Sequence, residues 1–556
     1  MASKIDTTRL VAYLVFQGGG AKGISHVGGL AAVNELKLTI GGVAGTSAGA
    51  IVAALVAGGY SAEEMFDGSA NDHILKHVCD GQYADPTRLF TPKGWQSLQS
   101  LLEFSKALSA AWKWLVAGRI WQKLTVGAAL FAMTFCLVPL GCWFPRIELL
   151  LGLIGASVVG VKVFRVYRGL CGLENVRTVV DEALRRKLNT DDGGITFERL
   201  KKSGCMPLKL VSTNVTDGAL ELFSYETTPK VIVADAVCAS VCIPFVFKRW
   251  SFRYKRNGDT ELTRRQFIDG GLMSNLPVWS FDEERALNND AITIAFGLQE
   301  PDSKKGNTTW LASALDAVVA GPPQVHRREV NRLVHVPLRS PLGLFDFDQS
   351  FANYKRAVEL ARADAFALLD FEVTEVPDLV RNSLLNIRGT VEELVFKKYK
   401  TQRQGTSFLF RVAVAVQRPG SYSTLHVAYQ VGDYEWGDRP VLSLEDSPVG
   451  LAWQQRDTSE PALEIFPENG DGTGKPFRDS HWMLSVPLPM VSGPADDPKK
   501  VALAAVLIID SPRTLGPLED NEADLEEFSS FLCENVIDYL KQINLSIYVR
   551  RSVSWL

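Results

Sequence analysis

Nothing in the sequence announces a metal or redox centre: its 8 cysteines, at positions 79, 136, 142, 171, 205, 238, 242 and 533, include no Cys-x-x-Cys pair, and its 7 histidines do not cluster. A structural zinc site and a small disulfide scaffold are therefore not expected, no metal or cofactor is called for, and a reducing compartment is the simpler setting. An excess of one charge is missing too. Lys and Arg number 59 against 63 Asp and Glu, a net charge of −4, which is neither the basic footprint of a nucleic-acid binder nor an acidic tail, and nucleic acid is set aside as a partner. The first residues, Met-Ala-Ser-Lys-Ile-Asp-Thr-Thr-Arg, lack the apolar core of a secretory signal. Internal repeats and low-complexity tracts are absent as well. What is present is the composition of a folded protein, 46% hydrophobic and 22% charged over 556 residues, long enough for two or three packed units.

Leu10 to Phe16 is a short apolar run that ends in Gln17 and a glycine cluster, the pattern of a buried strand entering a tight turn. Gly28 to Leu38 reads as helix. A second apolar stretch leads to Gly45-Thr46-Ser47-Ala48-Gly49, after which Ala50 to Ala57 continues as a small-residue helix. Strand, turn and helix repeated in this way predict an α/β fold whose mostly parallel sheet gathers its loops at the carboxyl ends of the strands. Further strands are expected at Pro207 to Thr213 and Ala291 to Gly297, and a long helix at Ala352 to Leu369. From Ser407 the character changes to strand-like runs broken by Gly, Pro and Asp clusters, closed by a helix over Glu519 to Gln542. This predicts a second, smaller α/β domain over 376–556, after a first domain over 1–375.

Between Leu124 and Phe144 stand 21 consecutive uncharged residues, above the length of about 18 at which a membrane span is suspected. A shorter apolar run, Leu149 to Val161, follows. Lys113, Arg119 and Lys123 precede the pair, Lys162, Arg165 and Arg168 follow it, and Trp112, Trp114 and Trp121 stand where interfacial aromatics would. The expectation is an apolar helical hairpin inserted over about 105–168, embedded in or lying on a membrane; the alternative is a buried helical pair that covers the sheet or serves self-association.

Gly45-Thr46-Ser47-Ala48-Gly49 fits the G-x-S-x-G elbow, in which small neighbours let a strained strand-to-helix turn push a serine oxygen into the open. Gly18-Gly19-Gly20-Ala21-Lys22-Gly23 also satisfies G-x-G-x-x-G, but the second strand ends in the elbow rather than in the acidic residue a dinucleotide site needs, and Lys22 is not followed by the Ser or Thr of a P-loop. What remains is a glycine loop whose N–H groups face the elbow, as an oxyanion hole requires. For a base, Asp269 with His326 or His335 would complete a Ser-Asp-His order. Asp269 itself stands at the end of an apolar strand before Gly270-Gly271, a better setting than any histidine has; His26 reads as part of the first helix, and His73 and His77 as sharing a helical face.

These three blocks in this order resemble the patatin-like phospholipases. Ser212 to Gly218, Ala239-Ser240 with Ile243-Pro244-Phe245, and Asn275 with Pro277 agree with that family too. The likeness spans residues 10 to about 68 and about 170 to 370. It implies a Ser-Asp dyad acting without histidine on the acyl esters of phospholipids or other lipids: Ser47 attacks, Asp269 takes and returns the proton, and Gly18, Gly19 and Gly20 bind the oxyanion, with Lys22, Gly23, Gly45, Gly49, Gly270 and Gly271 supporting the motifs. Lys22 is compatible with packing, with capping the loop and with adding positive potential. The basic cluster Lys248, Arg249, Arg253, Lys255, Arg256, Arg264 and Arg265 is read either as an attractor of anionic headgroups or as a solvated β-hairpin turning at Asn257-Gly258. Val449 to Trp453, Met483 to Leu488 and Leu507 to Ser511 resemble a GAF domain, which implies a nucleotide-like small-molecule regulator within 400–556 or a dimerising role. The expected protein is a membrane-associated acyl hydrolase with its catalytic domain facing the cytoplasm; the rival is a membrane-anchored sensor or scaffold whose hydrolase fold is silent.

Overall fold

A computed structural model describes residues 10–117, 164, 166–288, 291–299, 333–399, 410–417, 423–432, 441–445, 447–455, 462–465, 480–489, 503–513 and 521–543. The chain opens with β1 (Val11–Phe16), α1 (Ser25–Glu35), β2 (Thr39–Thr46) and α2 (Ala48–Ala57), then α3 (Pro92–Ala117) and α4 (Glu174–Lys187). It continues through β3 (Leu208–Asn214), β4 (Ala219–Phe223), α5 (Val233–Ser240), β5 (Trp250–Tyr254), β6 (Thr263–Ile268), β7 (Ile292–Gln299), β8 (Leu333–Arg339) and α6 (Phe351–Leu369). These strands form one sheet in the order β8-β7-β1-β2-β3-β6-β5, with β4 also paired to β3. Its first five strands run parallel, and β4, β5 and β6 add antiparallel pairings at one side.

Alternation along β1 sets the two layers. Ala12, Leu14 and Phe16 enter the large core beneath the helices, while Tyr13 and Val15 pack on the opposite face with Ala44, Leu276 and Phe281. Gly28 lets α1 lie against α6, since a Cβ there would meet the Val358 carbonyl oxygen at 2.2 Å.

Helix α6 passes through a π turn, Asp370–Glu375, into α7 (Val376–Tyr399). Val373 still belongs to the first core, whereas Val380, Leu384, Ile387, Val391 and Val395 belong to a second. That second core lies on a sheet of β9 (Arg411–Gln417), β10 (Thr424–Gly432), β11 (Val441–Ser443), β12 (Ala462–Ile465), β13 (Trp482–Pro489) and β14 (Leu503–Ser511). Its strand order is β11-β10-β9-β14-β13-β12, antiparallel throughout. Helix α8 (Pro448–Gln455) packs on one face, and α7 with α9 (Glu522–Ile543) on the other.

The apolar runs Leu124 to Phe144 and Leu149 to Val161 lie outside the described residues. Among the described residues no helix is long and apolar enough to cross a membrane. Two local expectations are corrected. His73 and His77 do not share a helical face, because His73 is extended at the end of a short strand and His77 follows a single 3-10 turn over Ile74–Lys76. The first helix starts at Ser25, after a 3-10 turn over Gly20–Ile24.

Candidate active site

Strand β2 ends at Thr46 and α2 begins at Ala48, so Ser47 makes the whole turn by itself, at φ 53° and ψ −125°. Such a backbone costs a serine of order 1–3 kcal/mol and persists only where neighbours enforce it. The neighbours are close: a Cβ on Gly45 would meet the Gly49 carbonyl oxygen at 2.2 Å, and one on Gly49 would meet the Phe16 carbonyl oxygen at 2.2 Å. Glycine is required at both places for β1, β2 and α2 to cross at the elbow.

Asp269 follows the last residue of β6. Its N–H donates to the Cys242 carbonyl at 2.8 Å, and Thr213 Oγ1 donates to its carbonyl at 2.9 Å. In the side chain, Oδ1 accepts the Gly271 N–H at 2.8 Å. The Ser47 hydroxyl acts on the same carboxyl, while Oδ2 makes no hydrogen bond of full geometry. Asp269 is completely buried. Burial disfavours the carboxylate and outweighs the lowering by Ser47 and by the Gly271 N–H, so the pKa is pushed up to about 7.

The glycine loop lies against the elbow, where a Cβ on Gly18 would come within 2.9 Å of the Ser47 Cβ. Its three N–H groups are not equivalent. That of Gly18 is taken by Asn275, donating to the carbonyl at 3.2 Å and to Oδ1 at 3.1 Å, and Asn275 Nδ2 donates back to the Gly18 carbonyl at 3.4 Å. Those of Gly19 and Gly20 make no hydrogen bond within the described structure. Gly20 has φ +56°, and a Cβ there would strike the Leu344 carbonyl oxygen at 2.2 Å. Lys22 and Gly23 are buried behind the loop, and a Cβ on Gly23 would meet that of Ala48 at 2.7 Å. Gly270 and Gly271 start the turn after Asp269, and a Cβ on Gly270 would meet the Val211 carbonyl oxygen at 2.2 Å.

The histidines stand elsewhere. His26 is fully buried on α1, its Nε2–H donating to the Gln17 carbonyl at 2.7 Å, and burial pushes its pKa down to about 4. It is a neutral support for the glycine loop. His335 sits on β8 beside β7, opposite Ala295, and His326 lies outside the described residues. Among the described residues no group of His, Cys, Asp and Glu could hold a metal ion.

The expectation that the elbow exposes its serine is corrected: Ser47 is 1% accessible. A strap around Leu344 lies over the neighbouring loop, its carbonyl accepting the Ala21 N–H at 2.9 Å. Beside this closed centre is an apolar cavity of about 540 Å³. Gly20 and Ala48 form part of its wall, Ile51, Val52 and Leu55 of α2 face Val179 and Ala183 of α4 across it, and Ser47 and Asp269 do not line it. The basic cluster divides: Arg256 pairs with Asp217 and Glu221, and Arg265 with Asp217 and Asp259, while Lys248, Arg249, Arg253, Lys255 and Arg264 are exposed along the β5–β6 hairpin, which contains Asn257 and Gly258 in its turn. Two residues whose part in the site was not legible are Asn275, which holds Gly18, and Ser240, which holds Ser47; both fall in stretches that resemble the family, but residue type alone did not reveal their bonds.

A protein of Bacillus subtilis (strain 168), the uncharacterized protein YqhO, is 26% identical over 288 residues, 50% of this chain and 70% of the relative. Among solved structures, VipD from Legionella pneumophila is similar at 18% identity and a TM-score of 0.32, over 65% of this chain and 66% of VipD. A GAF sensor protein from Burkholderia vietnamiensis is similar at 16% identity and a TM-score of 0.18, over 30% of this chain and 97% of that protein. At such TM-scores neither structure carries an argument about function. The patatin-like phospholipase family model matches residues 14–282, a span that includes both Ser47 and Asp269. The glycine loop, the serine elbow and the buried aspartate thus belong to a patatin-like phospholipase domain over residues 14–282.

Proposed function

We propose that this protein hydrolyses acyl esters of lipids, phospholipids first among them, with Ser47 as nucleophile and Asp269 as its only base. The observation that carries this reading is the buried Asp269 carboxyl beside the Ser47 hydroxyl, with a pKa of about 7. An ordinary aspartate, near 3.9, is too weak a base to activate a serine at neutral pH; one at about 7 is matched to that task. In the first step Ser47 Oγ bonds to the acyl carbon as its proton passes to Asp269. The N–H groups of Gly19 and Gly20 are the donors available to the resulting oxyanion, since that of Gly18 is committed to Asn275. Collapse breaks the ester bond, and the Asp269 proton leaves with the alcohol. Water then gives its proton to Asp269 and attacks the acyl-serine; collapse breaks the acyl–Oγ bond, the proton passes from Asp269 back to Ser47 Oγ, and the fatty acid leaves. The apolar cavity beside Ala48 is suited to an acyl chain.

Lysophospholipid, triacylglycerol and acyl-transfer substrates belong to the same reading. So do attachment to the cytoplasmic side of a membrane through the apolar segment, a GAF-like C-terminal unit that gates activity on a nucleotide-like ligand, and assembly into an oligomer. The domain limits carried with it are 1–375 and 376–556. The rival reading, a membrane-anchored sensor or scaffold with a silent hydrolase fold, is favoured by the near-complete burial of Ser47. Fatty-acid release from mixed phospholipid vesicles, with and without cyclic nucleotides, separates the two. Release by the wild type that is lost in Ser47→Ala and Asp269→Asn supports the hydrolase; no release, and no labelling of Ser47 by a fluorophosphonate, supports the scaffold.

A further inference from the structure

The two members of the proposed dyad come from turns 222 positions apart in sequence, the elbow at Ser47 and the turn at Asp269, and one short segment touches both. At the end of α5, Ser240 Oγ accepts the Ser47 N–H at 2.9 Å. The same hydroxyl donates to the Val211 carbonyl of β3 at 2.6 Å. The Ser240 carbonyl accepts the Gly270 N–H at 3.1 Å, and two residues on the Cys242 carbonyl accepts the Asp269 N–H at 2.8 Å. Ser212 Oγ ties this segment to β3 by donating to the Ala239 carbonyl at 2.7 Å. Ser240 is wholly buried, so water cannot replace its hydroxyl without rearrangement.

We propose that Ser240 is a positioning residue of the hydrolytic site: through its hydroxyl and its carbonyl it fixes the nucleophile turn against the base turn. The proposal rests on the acyl-hydrolase reading. Its physical content is specific. Ser47 holds an unfavourable φ of 53°, and its N–H, which would otherwise be a buried orphan, is satisfied among the described residues by the Ser240 hydroxyl. Removing the hydroxyl leaves the N–H and the Val211 carbonyl without this partner and allows the turn to relax. A shift of the nucleophile by a fraction of an ångström loosens the Ser47–Asp269 interaction while leaving the acyl cavity, built from other side chains, as it was. The bond also keeps the Ser47 N–H out of the oxyanion hole.

The test uses the full chain, with Ser240→Ala, Ser240→Cys and Ser240→Thr compared on phospholipid vesicles. Competent sites are counted by fluorophosphonate labelling, so kcat is expressed per labelled serine and loss of folded protein drops out. Ser240→Ala is expected to lower kcat about 10- to 100-fold with KM within about twofold of wild type. Its acid limb should move to higher pH, because the Ser47 hydroxyl that stabilises the Asp269 carboxylate is less well placed. Cys242, the nearby titratable group on the same segment, has its thiol pushed up to about 12 by burial and stays neutral in this range. Ser240→Thr, which keeps the hydroxyl, should recover most of the rate. Ser240→Cys keeps the shape with a weaker acceptor and should fall between the two, and it carries the test if the alanine variant does not fold. Wild-type kcat and an unmoved acid limb per labelled site in Ser240→Ala or Ser240→Cys would overturn the proposal, as would a folded Ser240→Thr as slow as the alanine variant. A wild type that neither labels nor releases fatty acid overturns the hydrolase reading itself, and is seen before any Ser240 variant is made.

Discussion

Two aspartates with no accessible surface, one within the antiparallel sheet and one just past the end of β6, show what burial does in two different settings. Asp510, in the antiparallel sheet, meets Arg411: the guanidinium Nε donates to Oδ1 at 2.8 Å, Nη2 to Oδ2, and Ser480 Oγ also donates to Oδ2. Asp269, at the end of β6, meets no cation among the described residues, where its carboxyl is approached by the Ser47 hydroxyl and the Gly271 N–H. A buried charge is tolerated where it is paired and hydrogen-bonded. Left unpaired, it shifts toward its neutral form instead. The first arrangement holds a fold together, and the second holds a proton near neutrality. A buried carboxylate without a cation is therefore the better candidate for proton transfer than a buried carboxylate that is paired.

The largest effect expected from that contrast is on catalysis. Ser47→Ala and Asp269→Asn should each lower fatty-acid release by at least about 10³-fold, and the double variant should lose little more, because the two act as one unit. Vesicle hydrolysis assays on purified variants check this. A double variant whose losses multiply would mean that the two residues act independently.

Next comes the structural pair. Arg411→Met strands the Asp510 carboxylate and should destabilise the folded chain by about 3–5 kcal/mol, read by denaturant unfolding of the C-terminal region, while replacement of both partners by apolar residues should cost far less. Asp269→Asn should do the opposite. Its native pKa of about 7 lies above the ordinary value of 3.8, so the fold prefers the protonated form. That contribution is full below about pH 4 and is lost as pH rises through 7. The asparagine variant should therefore be more stable than wild type at pH 8, by up to about 4 kcal/mol, and nearly equal to it at pH 4. Thermal unfolding at the two pH values decides the point.

Smaller effects sharpen the picture of the elbow. Ser47→Gly removes the side chain and also the cost of the left-handed backbone, so it should unfold at a higher temperature than Ser47→Ala, by an amount equivalent to about 1 kcal/mol. Equal stabilities would mean that the elbow stores no strain.

The half that carries the candidate site was legible because its key residues sit at strand ends bounded by glycine. Gly45, Gly49 and Gly270 are needed where backbones approach within van der Waals contact, and such requirements leave a mark on sequence. Ser47 and Asp269 were singled out as candidates on that basis, and the run of parallel strands was expected from the same pattern. The division of labour within the glycine loop was not legible, since the bond from the Gly18 N–H to Asn275 spans 257 positions and depends on packing. Nor was the burial of Ser47, which follows from how distant segments close around it rather than from the elbow itself. His73 and His77 misled because helical spacing was assumed where the chain passes from extended backbone at His73 into a single 3-10 turn over Ile74–Lys76.

The dependence of Ser47 reactivity on pH tests the central claim most directly. Fluorophosphonate labelling of the wild type, followed from pH 5 to 9 beside Asp269→Asn, should rise with an apparent pKa near 7 and then level, with the variant slow throughout. A wild-type rate already at its plateau at pH 5, or an Asp269→Asn variant labelled as fast as wild type, would contradict the assignment of Asp269 as the base.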